Sequence, residues 1–277
     1  MLADLHIHTT FSDGIYTPQE IVDQAVETGM HTIAITDHDN IQAFGPANSY
    51  IQEKGYTLEL LRGVEIDTNY YGRDVHVLGY HFRPDYKPLL QAMAWNRVGR
   101  IDRVSRIIDK INSLGYPLTL SEVRDEAAGS KSLGRPHIAR VLVKKGLFPT
   151  VGAVFDALIA EGKPAYCRQV KMSPKEAVQL IHEAGGIAVL AHPAEIKNVK
   201  LVLQLLSEVP FDGMEVWHPS TLKERVKHDW LSIAKEQGLL PSGGSDLHGN
   251  PDRFPNRLGE FPIQYENIAG VINAKNH

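Results

Sequence analysis

The sequence Leu2-Ala3-Asp4-Leu5-His6-Ile7-His8 ends a short apolar run with two histidines two positions apart. Side chains at this spacing along a β-strand point to the same side of a sheet. Both imidazoles therefore face one way, as two ligands of a single metal ion would. In a chain with 13 histidines such a pair also arises by chance, so the motif is weak until other strands carry similar groups.

Further short apolar runs follow the first, separated by segments with helical spacing. One helical segment begins after Thr17 with Pro18 and stops at Gly29, and another begins after Ser173 and stops at Gly185. These are usual helix boundaries. Alternating strands and helices predict parallel pairing and an α/β fold, either an open sheet or a barrel, in which chemistry gathers at strand ends. The predicted strands are residues 2–7, 32–36, 58–66, 75–80, 186–191, 213–217 and 239–242.

The alternation stops across residues 89–162, which show helical patterns and no convincing strand, so we expect a helical insertion there. Residues 90–170 contain 13 Lys and Arg against 7 Asp and Glu, a net charge of +6, and the remainder of the chain has −10. This segregation suggests an anionic ligand, although arginines three apart are typical of a solvated helix face. The arginine ladder consists of Arg97, Arg100, Arg103 and Arg106.

Composition excludes several classes of protein. The chain of 277 residues is 43% hydrophobic and 22% charged, as an ordinary globular protein is. A net charge of −4 excludes a chain-wide cationic coat for long nucleic acid. The single cysteine, Cys167, allows neither an internal disulfide nor a thiolate zinc cage. The longest apolar stretch, residues 187–191, is too short to span a bilayer, and with no secretory signal at the start we expect a cytoplasmic protein.

Groups that can bind metal recur near the ends of the first predicted strands. Asp13 precedes Gly14, which by itself is ordinary turn chemistry. His38 lies between two aspartates after the second strand, where the alternative is a surface histidine beside a helix cap. Glu65 closes the third predicted strand, in which a buried carboxylate without a partner is costly. His76 lies in the fourth strand between two valines, a setting more typical of a core histidine.

The later strands end in similar groups. His192 and His218 each follow a strand and precede a proline, and Asp246 and His248 lie two apart in a glycine-rich turn. Each of these sites has an ordinary structural explanation when it is taken alone. All of the explanations would have to hold together, at strand ends that converge, so the set predicts a metal centre.

In this order the residues resemble the PHP (polymerase and histidinol phosphatase) family of metal-dependent phosphoesterases, and the resemblance covers most of the chain. It implies a distorted (β/α)7 barrel formed by residues 1–88 and 165–277, with residues 89–164 as a helical insertion that caps the substrate. It also implies two or three divalent ions, for which we favour Mn over Zn or Fe. The ligands that it implies are His6, His8, Asp13, His38, Glu65, His76, His192, Asp246 and His248.

The family grouping assigns these ligands to three positions. His6, His8, Glu65 and Asp246 would hold one ion, and Glu65 would bridge to a second ion held by His76 and His192. The third position would be formed by Asp13, His38 and His248.

Within the family, the chain is similar to the TrpH-type branch through Gly134-Arg135-Pro136-His137 and the segment from Glu215 to Pro219. That branch removes the 3′-phosphate from nucleoside 3′,5′-bisphosphates or trims short oligoribonucleotides from the 5′ end. We therefore expect Arg135, His137 and His218 to contact a small anionic nucleotide, and no long nucleic acid or membrane. The alternative is that Arg135 and His137 only stabilise the insertion.

The chemistry implied is attack by a metal-activated water, with Asp246 orienting the water and His192 or His218 protonating the leaving oxygen. A histidinol-phosphate-type phosphatase is a further alternative inside the family. A metal-dependent amidohydrolase would commonly use a carboxylated lysine where Glu65 stands. An inactive PHP binding module would have lost ligands that this chain retains. The sequence gives no oligomeric state.

Overall fold

The computed structural model describes residues 1–127, 133–223, 228–251 and 253–274. It contains one mixed eight-stranded sheet in the order β7-β6-β5-β4-β3-β2-β1-β8. The sheet curls until β1 and the segment after β7 meet, where the His8 N–H donates to the Leu247 carbonyl at 2.9 Å. The strands are β1 Leu2–Ile7, β2 Met30–Ile35, β3 Glu59–Tyr70, β4 Arg73–Tyr80, β5 Ile187–Leu190, β6 Gly213–Trp217, β7 Leu240–Gly243 and β8 Ile263–Gln264.

This confirms the predicted α/β barrel, with an eighth strand of two residues that pairs antiparallel with β1. Helices follow most strands, and a further group of helices lies between β4 and β5. They are α1 Pro18–Glu27, α2 Phe44–Lys54, α3 Lys87–Ser113, α4 Leu120–Glu126, α5 Arg135–Lys144, α6 Val151–Val154, α7 Pro174–Glu183, α8 Val199–Glu208, α9 Pro219–Lys223, α10 Trp230–Glu236 and α11 Tyr265–Ile272, with a π-helical turn at Phe155–Ile159 and a 3₁₀ turn at Pro193–Ile196.

The two helices predicted from capping residues begin where the sequence places them. Thr17 and Ser173 each accept a hydrogen bond from the backbone N–H three residues on, and the Glu20 and Glu176 carboxylates accept hydrogen bonds from the backbone N–H groups of Thr17 and Ser173. This reciprocal pair satisfies two otherwise unpaired backbone donors at each helix start. The two predictions are confirmed.

The expectation of parallel pairing throughout is wrong for β4, which runs antiparallel to both β3 and β5. Tyr71 and Gly72 join β3 to β4 with φ of 45° and 84°. Two consecutive residues with positive φ make the tight turn that a two-residue hairpin requires. β3 therefore continues to Tyr70 rather than ending near residue 66, and Glu65 lies within the strand.

Helices α3 to α6 and the π-helical turn pack around an apolar cluster of their own, which includes Ile107, Ile138, Leu142 and Cys167. Residues 128–132 of the predicted insertion, and residues 224–227, 252 and 275–277 of the predicted barrel, lie outside the described part of the chain. The arginine ladder does not form a solvated face, because Arg100 and Arg103 are buried. Among the described residues, no helix is both long and apolar enough to cross a membrane.

Candidate metal centre

The site lies in a cavity of about 410 Å³ between one mouth of the barrel and helices α3 and α5. The first group of predicted ligands comes from β1 and the segment after β7. His6 Nε2 and His8 Nε2 are 3.2 Å apart, and Asp246 Oδ1 lies 3.5 and 3.2 Å from them. All three side chains are buried. Period-2 alternation at the end of β1 brings the two imidazoles together, as the sequence predicts.

Glu65 lies between this first group and a second one. Its Oε1 is 2.7 Å from His76 Nδ1 and 3.0 Å from His192 Nε2, while its Oε2 is 3.2 Å from His8 Nε2. The hairpin explains the arrangement, since β3 and β4 pair side by side with Asp67 opposite His76. The two oxygens of one carboxylate are thus directed toward two sets of histidines.

The third group consists of Asp13, His38 and His248. Asp13 Oδ1 is 3.2 Å from His248 Nε2 and 3.9 Å from His38 Nε2. His8 Nδ1 lies 3.7 Å from the same oxygen, which joins this group to the first. The structure therefore brings all nine predicted ligands into one cluster.

Backbone strain accompanies the ligands at three strand ends. His192, Asp246 and Asp39 have positive φ values of 26°, 51° and 49°. Such conformations are costly for residues other than glycine and concentrate at functional sites. Gly244, two residues before Asp246, is required because of close packing and not because of its backbone conformation. A Cβ at this position would lie 2.2 Å from the His6 Cβ.

The donor set fits divalent cations. Every predicted ligand offers nitrogen or oxygen, which suits Mn, Zn or Fe. Among the described residues, buried atoms without a hydrogen-bond partner include Asp13 Oδ1, Glu65 Oε2 and His38 Nδ1. Each of these atoms instead lies 3.0–3.2 Å from an atom of another predicted ligand, as the ligands of a shared cation do.

The electrostatics of the cluster favour ionised carboxylates. Burial raises the pKa of Glu65, but the imidazoles of His38, His76 and His6 outweigh it and hold that pKa well below its usual range. Burial likewise raises the pKa of Asp13, which His248 and His38 lower well below the ordinary value. Both groups are therefore in the form that binds a metal ion.

Glu215 supports the ligands from β6, and we did not predict a role for it from the sequence. Its Oε1 lies 3.1 Å from His6 Nδ1, and its Oε2 accepts a 2.7 Å hydrogen bond from the backbone N–H of His192. A carboxylate behind a histidine fixes the tautomer and orientation of the ring. The signal that identifies Glu65 also applies to Glu215, because each is an acid inside an apolar strand.

Two other acids near the cluster, Asp37 and Asp4, accept hydrogen bonds that fix the chain around the predicted ligands rather than the ligand side chains themselves. Asp37 accepts hydrogen bonds from the Thr9 N–H and hydroxyl and from the Ser12 hydroxyl, so it fixes the loop after β1. Asp4 accepts from the backbone N–H of His6.

Of the three residues expected to assist catalysis, Asp246 and His192 line the cavity and His218 does not. Asp246 Oδ2 is 2.5 Å from Arg253 Nη2 and 3.5 Å from His218 Nε2, on the side away from His8. His218 is buried and accepts a hydrogen bond from the Ser220 N–H at Nδ1, and it does not line the cavity. His192 does line the cavity, with its Nδ1 3.6 Å from Glu195.

The two insertion residues expected to contact substrate also differ in whether they reach the cavity. Arg135 lines the cavity with its side chain 25% exposed. His137 does not line it, because it is 1% exposed and its Nδ1 accepts a hydrogen bond from the Gly134 N–H. This is the stabilising alternative that the sequence left open for His137. Arg103 was missed, since the ladder was expected to face solvent.

A model of the PHP domain matches residues 4–268. The chain belongs to the PHP family. It is 33% identical over 253 residues to the 5'-3' exoribonuclease Rnm of Escherichia coli, covering 90% of this chain and 85% of that protein. It is 29% identical over 249 residues to the 3',5'-nucleoside bisphosphate phosphatase of Chromobacterium violaceum, covering 88% and 86%.

A solved structure described as a metal-dependent phosphoesterase from Bifidobacterium adolescentis superimposes with a TM-score of 0.85. It is 32% identical, and the match covers 98% of this chain and 95% of that chain. The PHP resemblance is therefore confirmed, and the chain is a metal-dependent phosphoesterase.

Proposed function

We propose that this PHP member hydrolyses a small nucleotide phosphomonoester and removes the 3′-phosphate from nucleoside 3′,5′-bisphosphates. The observation that carries the proposal is a cationic wall in the same cavity as the ligand cluster. Arg103 and Arg135 line that cavity together with Glu65 and Asp246. A substrate with two phosphates needs a second anion site beside the reacting one, and arginine binds phosphate through two N–H groups.

Arg103 is the strongest member of this wall. It is buried, its Nε donates to the Cys167 carbonyl at 2.7 Å, and among the described residues its Nη2 has no hydrogen-bond partner. Burial and the neighbouring Arg135 lower the pKa of Arg103 to about 10, so the guanidinium is still charged at neutral pH. An unpaired buried guanidinium N–H is well suited to a phosphate oxygen.

The roles in the reaction follow from the geometry. Bound divalent ions, preferably Mn, would neutralise phosphate charge and lower the pKa of a ligated water. The nine predicted ligands would hold these ions. Asp246 uses Oδ1 toward the ligands and Oδ2 toward Arg253 and His218. We therefore assign Asp246 to orient the water, and His218 to position Asp246.

Residues 89–164 would form the substrate cap over a barrel made of residues 1–88 and 165–277. In this arrangement α3 and α5 bring Arg103 and Arg135 to the barrel mouth. The barrel supplies the metal ligands and the insertion supplies the cations that select the substrate.

A second candidate is trimming of short oligoribonucleotides from the 5′ end, which the 33% identity to the Escherichia coli exoribonuclease favours. The two candidates share the metal centre and the anion site. They differ in whether the product is inorganic phosphate or a mononucleotide.

The test is to measure phosphate and mononucleotide release from adenosine 3′,5′-bisphosphate, AMP, a 5′-phosphorylated short RNA and histidinol phosphate. The proposal predicts the highest kcat/KM for the bisphosphate, with loss in chelator and recovery with Mn²⁺. Preference for the RNA would establish the second candidate, and preference for histidinol phosphate would exclude both. Elemental analysis of unstripped protein identifies the native metal.

Two variants test the anion site within this assay. Arg103→Gln should raise KM for the bisphosphate at least tenfold while changing KM for a simple phosphomonoester much less. Arg106→Gln is the matched control, because Arg106 belongs to the same ladder but is exposed and pairs with Asp102. Equal effects of the Arg103 variant on both substrates would contradict the assignment.

A further inference from the structure

Asp67 lies beside the ligand cluster, although neither the motifs nor the family resemblance assigns it. It follows Glu65 by two positions on β3, so the two side chains share a face. Its Oδ1 is 3.2 Å from His38 Nδ1 and 3.2 Å from His76 Nε2. The side chain is 4% exposed, and among the described residues this oxygen has no hydrogen-bond partner.

The other oxygen of Asp67 is held by cations. Oδ2 lies 2.5 Å from Arg100 Nη2 and 3.3 Å from Lys171 Nζ. One oxygen of the carboxylate is therefore compensated by two cations, and the other is directed at two imidazoles.

This geometry matches a metal site. Ligand atoms about 2.0–2.2 Å from one ion lie roughly 2.8–3.1 Å apart in an octahedral arrangement and roughly 3.3–3.6 Å apart in a tetrahedral one. The distances of 3.2 Å from Asp67 Oδ1 to the two imidazole nitrogens lie between these two ranges, and His38, Asp67 and His76 form a group that could hold an ion.

We propose that Asp67 is a further ligand of the metal centre and binds an ion through Oδ1 together with His38 Nδ1 and His76 Nε2. These two imidazoles would then bind this ion instead of the ions assigned to them through their other nitrogens, beside Asp13 and Glu65. This inference rests on the metal centre of the proposed function.

Arg100 and Lys171 fix the carboxylate through Oδ2, so helix α3 of the insertion helps to position a ligand of the barrel. The alternative is that Asp67 only neutralises these two buried cations.

The test compares Asp67→Asn with wild type by Mn²⁺ titration calorimetry and by metal content after dialysis. Asparagine keeps the size of the side chain and removes the anionic ligand. The proposal predicts that one Mn²⁺ is lost or binds at least tenfold more weakly. Asp74→Asn is the matched control, since Asp74 Oδ1 also pairs with Lys171, at 3.0 Å, and this variant should bind Mn²⁺ as wild type does.

A second measurement keeps the test decisive if Asp67→Asn does not fold. Asp67→Glu retains the charge that Arg100 and Lys171 require but displaces the oxygen. Replacement of Mn²⁺ by Co²⁺ makes the ligand geometry visible in the absorption spectrum, and the Glu variant should shift the Co²⁺ bands.

Unchanged Mn²⁺ stoichiometry and affinity in Asp67→Asn would overturn the proposal, as would an unchanged Co²⁺ spectrum in Asp67→Glu. These outcomes leave the proposed function intact, because wild type would still bind its ions. Wild-type protein that binds no Mn²⁺ would instead exclude the whole metal centre and Asp67 with it.

Discussion

His137 shows how one buried side chain can be separated from the chemistry around it. It lies in the first turn of α5, where its Nδ1 accepts the Gly134 N–H. Burial, together with Arg140, lowers the pKa of His137 to about 4. An unfolded histidine has a pKa near 6.5, so the unfolded chain binds more protons between these values. Stability from this residue is therefore present above pH 6.5 and is lost as the pH falls toward 4.

We predict that His137→Gln removes this pH dependence, since glutamine at this position can still accept the Gly134 N–H. Wild type should lose about 2 kcal/mol more than the variant between pH 7 and pH 5. Urea unfolding of the metal-free proteins at both pH values measures the difference. An equal loss in the two proteins would contradict the pKa shift.

Glu215 gives a second prediction for a single residue. Glu215→Gln should weaken metal binding by about 10- to 100-fold, because one of its two oxygens becomes an N–H facing a donor. Asp212→Asn is the matched control, since Asp212 also accepts hydrogen bonds from an imidazole, His182 Nε2, and a backbone N–H, Ala188. The metal content of both variants after dialysis measures the effect. Equal amounts of bound metal in the two variants would contradict the role assigned to Glu215.

The identities of the clustered residues could be read from the sequence because each lies near a predicted strand end. Asp67 could not be identified in this way, because the sequence predicts that β3 ends before it. Only the hairpin places Asp67 opposite His76. Arg103 was missed for a similar reason. Its spacing matches a solvated face, and only the packing of α3 against the barrel shows that it is buried.

At the scale of elements, the attachment of α3 to the barrel depends on Asn96. Its Nδ2 donates to Asp39 Oδ1 at 2.8 Å and to the Asp67 backbone carbonyl at 2.9 Å, and its backbone carbonyl accepts from Gln169 Nε2. The buried Asn96 side chain therefore links the helix to the segment after β2 and to β3. Arg97 also donates to the Asp39 carbonyl.

We predict that Asn96→Ala lowers the free energy of unfolding by about 2–3 kcal/mol, because it removes two buried hydrogen bonds, one of them to a carboxylate. The exposed Gln91→Ala on the same helix should stay within about 0.5 kcal/mol of wild type. Denaturant unfolding of the metal-free proteins measures both. A loss no larger in Asn96→Ala than in Gln91→Ala would show that the helix is held elsewhere.

Element boundaries set by local chemistry were predictable, and strand direction was not. The Thr17 and Ser173 caps depend on residues three apart in sequence, so α1 and α7 begin as expected. The direction of β4 depends on the Tyr71-Gly72 turn, which lies between two apolar runs that were assigned as separate parallel strands.

For the whole molecule, metal binding should add directly to stability, because the ligands converge only in the folded chain. At a free Mn²⁺ concentration 100 times Kd, each site contributes about 2.7 kcal/mol. For 277 residues with about 2.1 cal/mol/K each, this raises Tm by roughly 5 °C per site. Scanning calorimetry with and without Mn²⁺ and chelator measures the shift, and an unchanged Tm would contradict it.

The segregation of charge along the chain can be read from the sequence, but the fold decides which of these charges pair internally and which face the cavity. The net +6 of residues 90–170 was expected to attract an anion. In the structure, part of this charge is used internally, since Arg100 pairs with Asp67. Arg103 and Arg135 line the cavity that also holds the ligand cluster.

Anomalous diffraction from crystals grown with Mn²⁺, recorded on both sides of the manganese absorption edge, tests the metal centre most directly. We expect two or three peaks among the nine clustered side chains, each within bonding distance of several imidazole and carboxylate atoms. Peaks that lie only elsewhere on the protein, or a map without peaks at saturating Mn²⁺, would contradict this expectation.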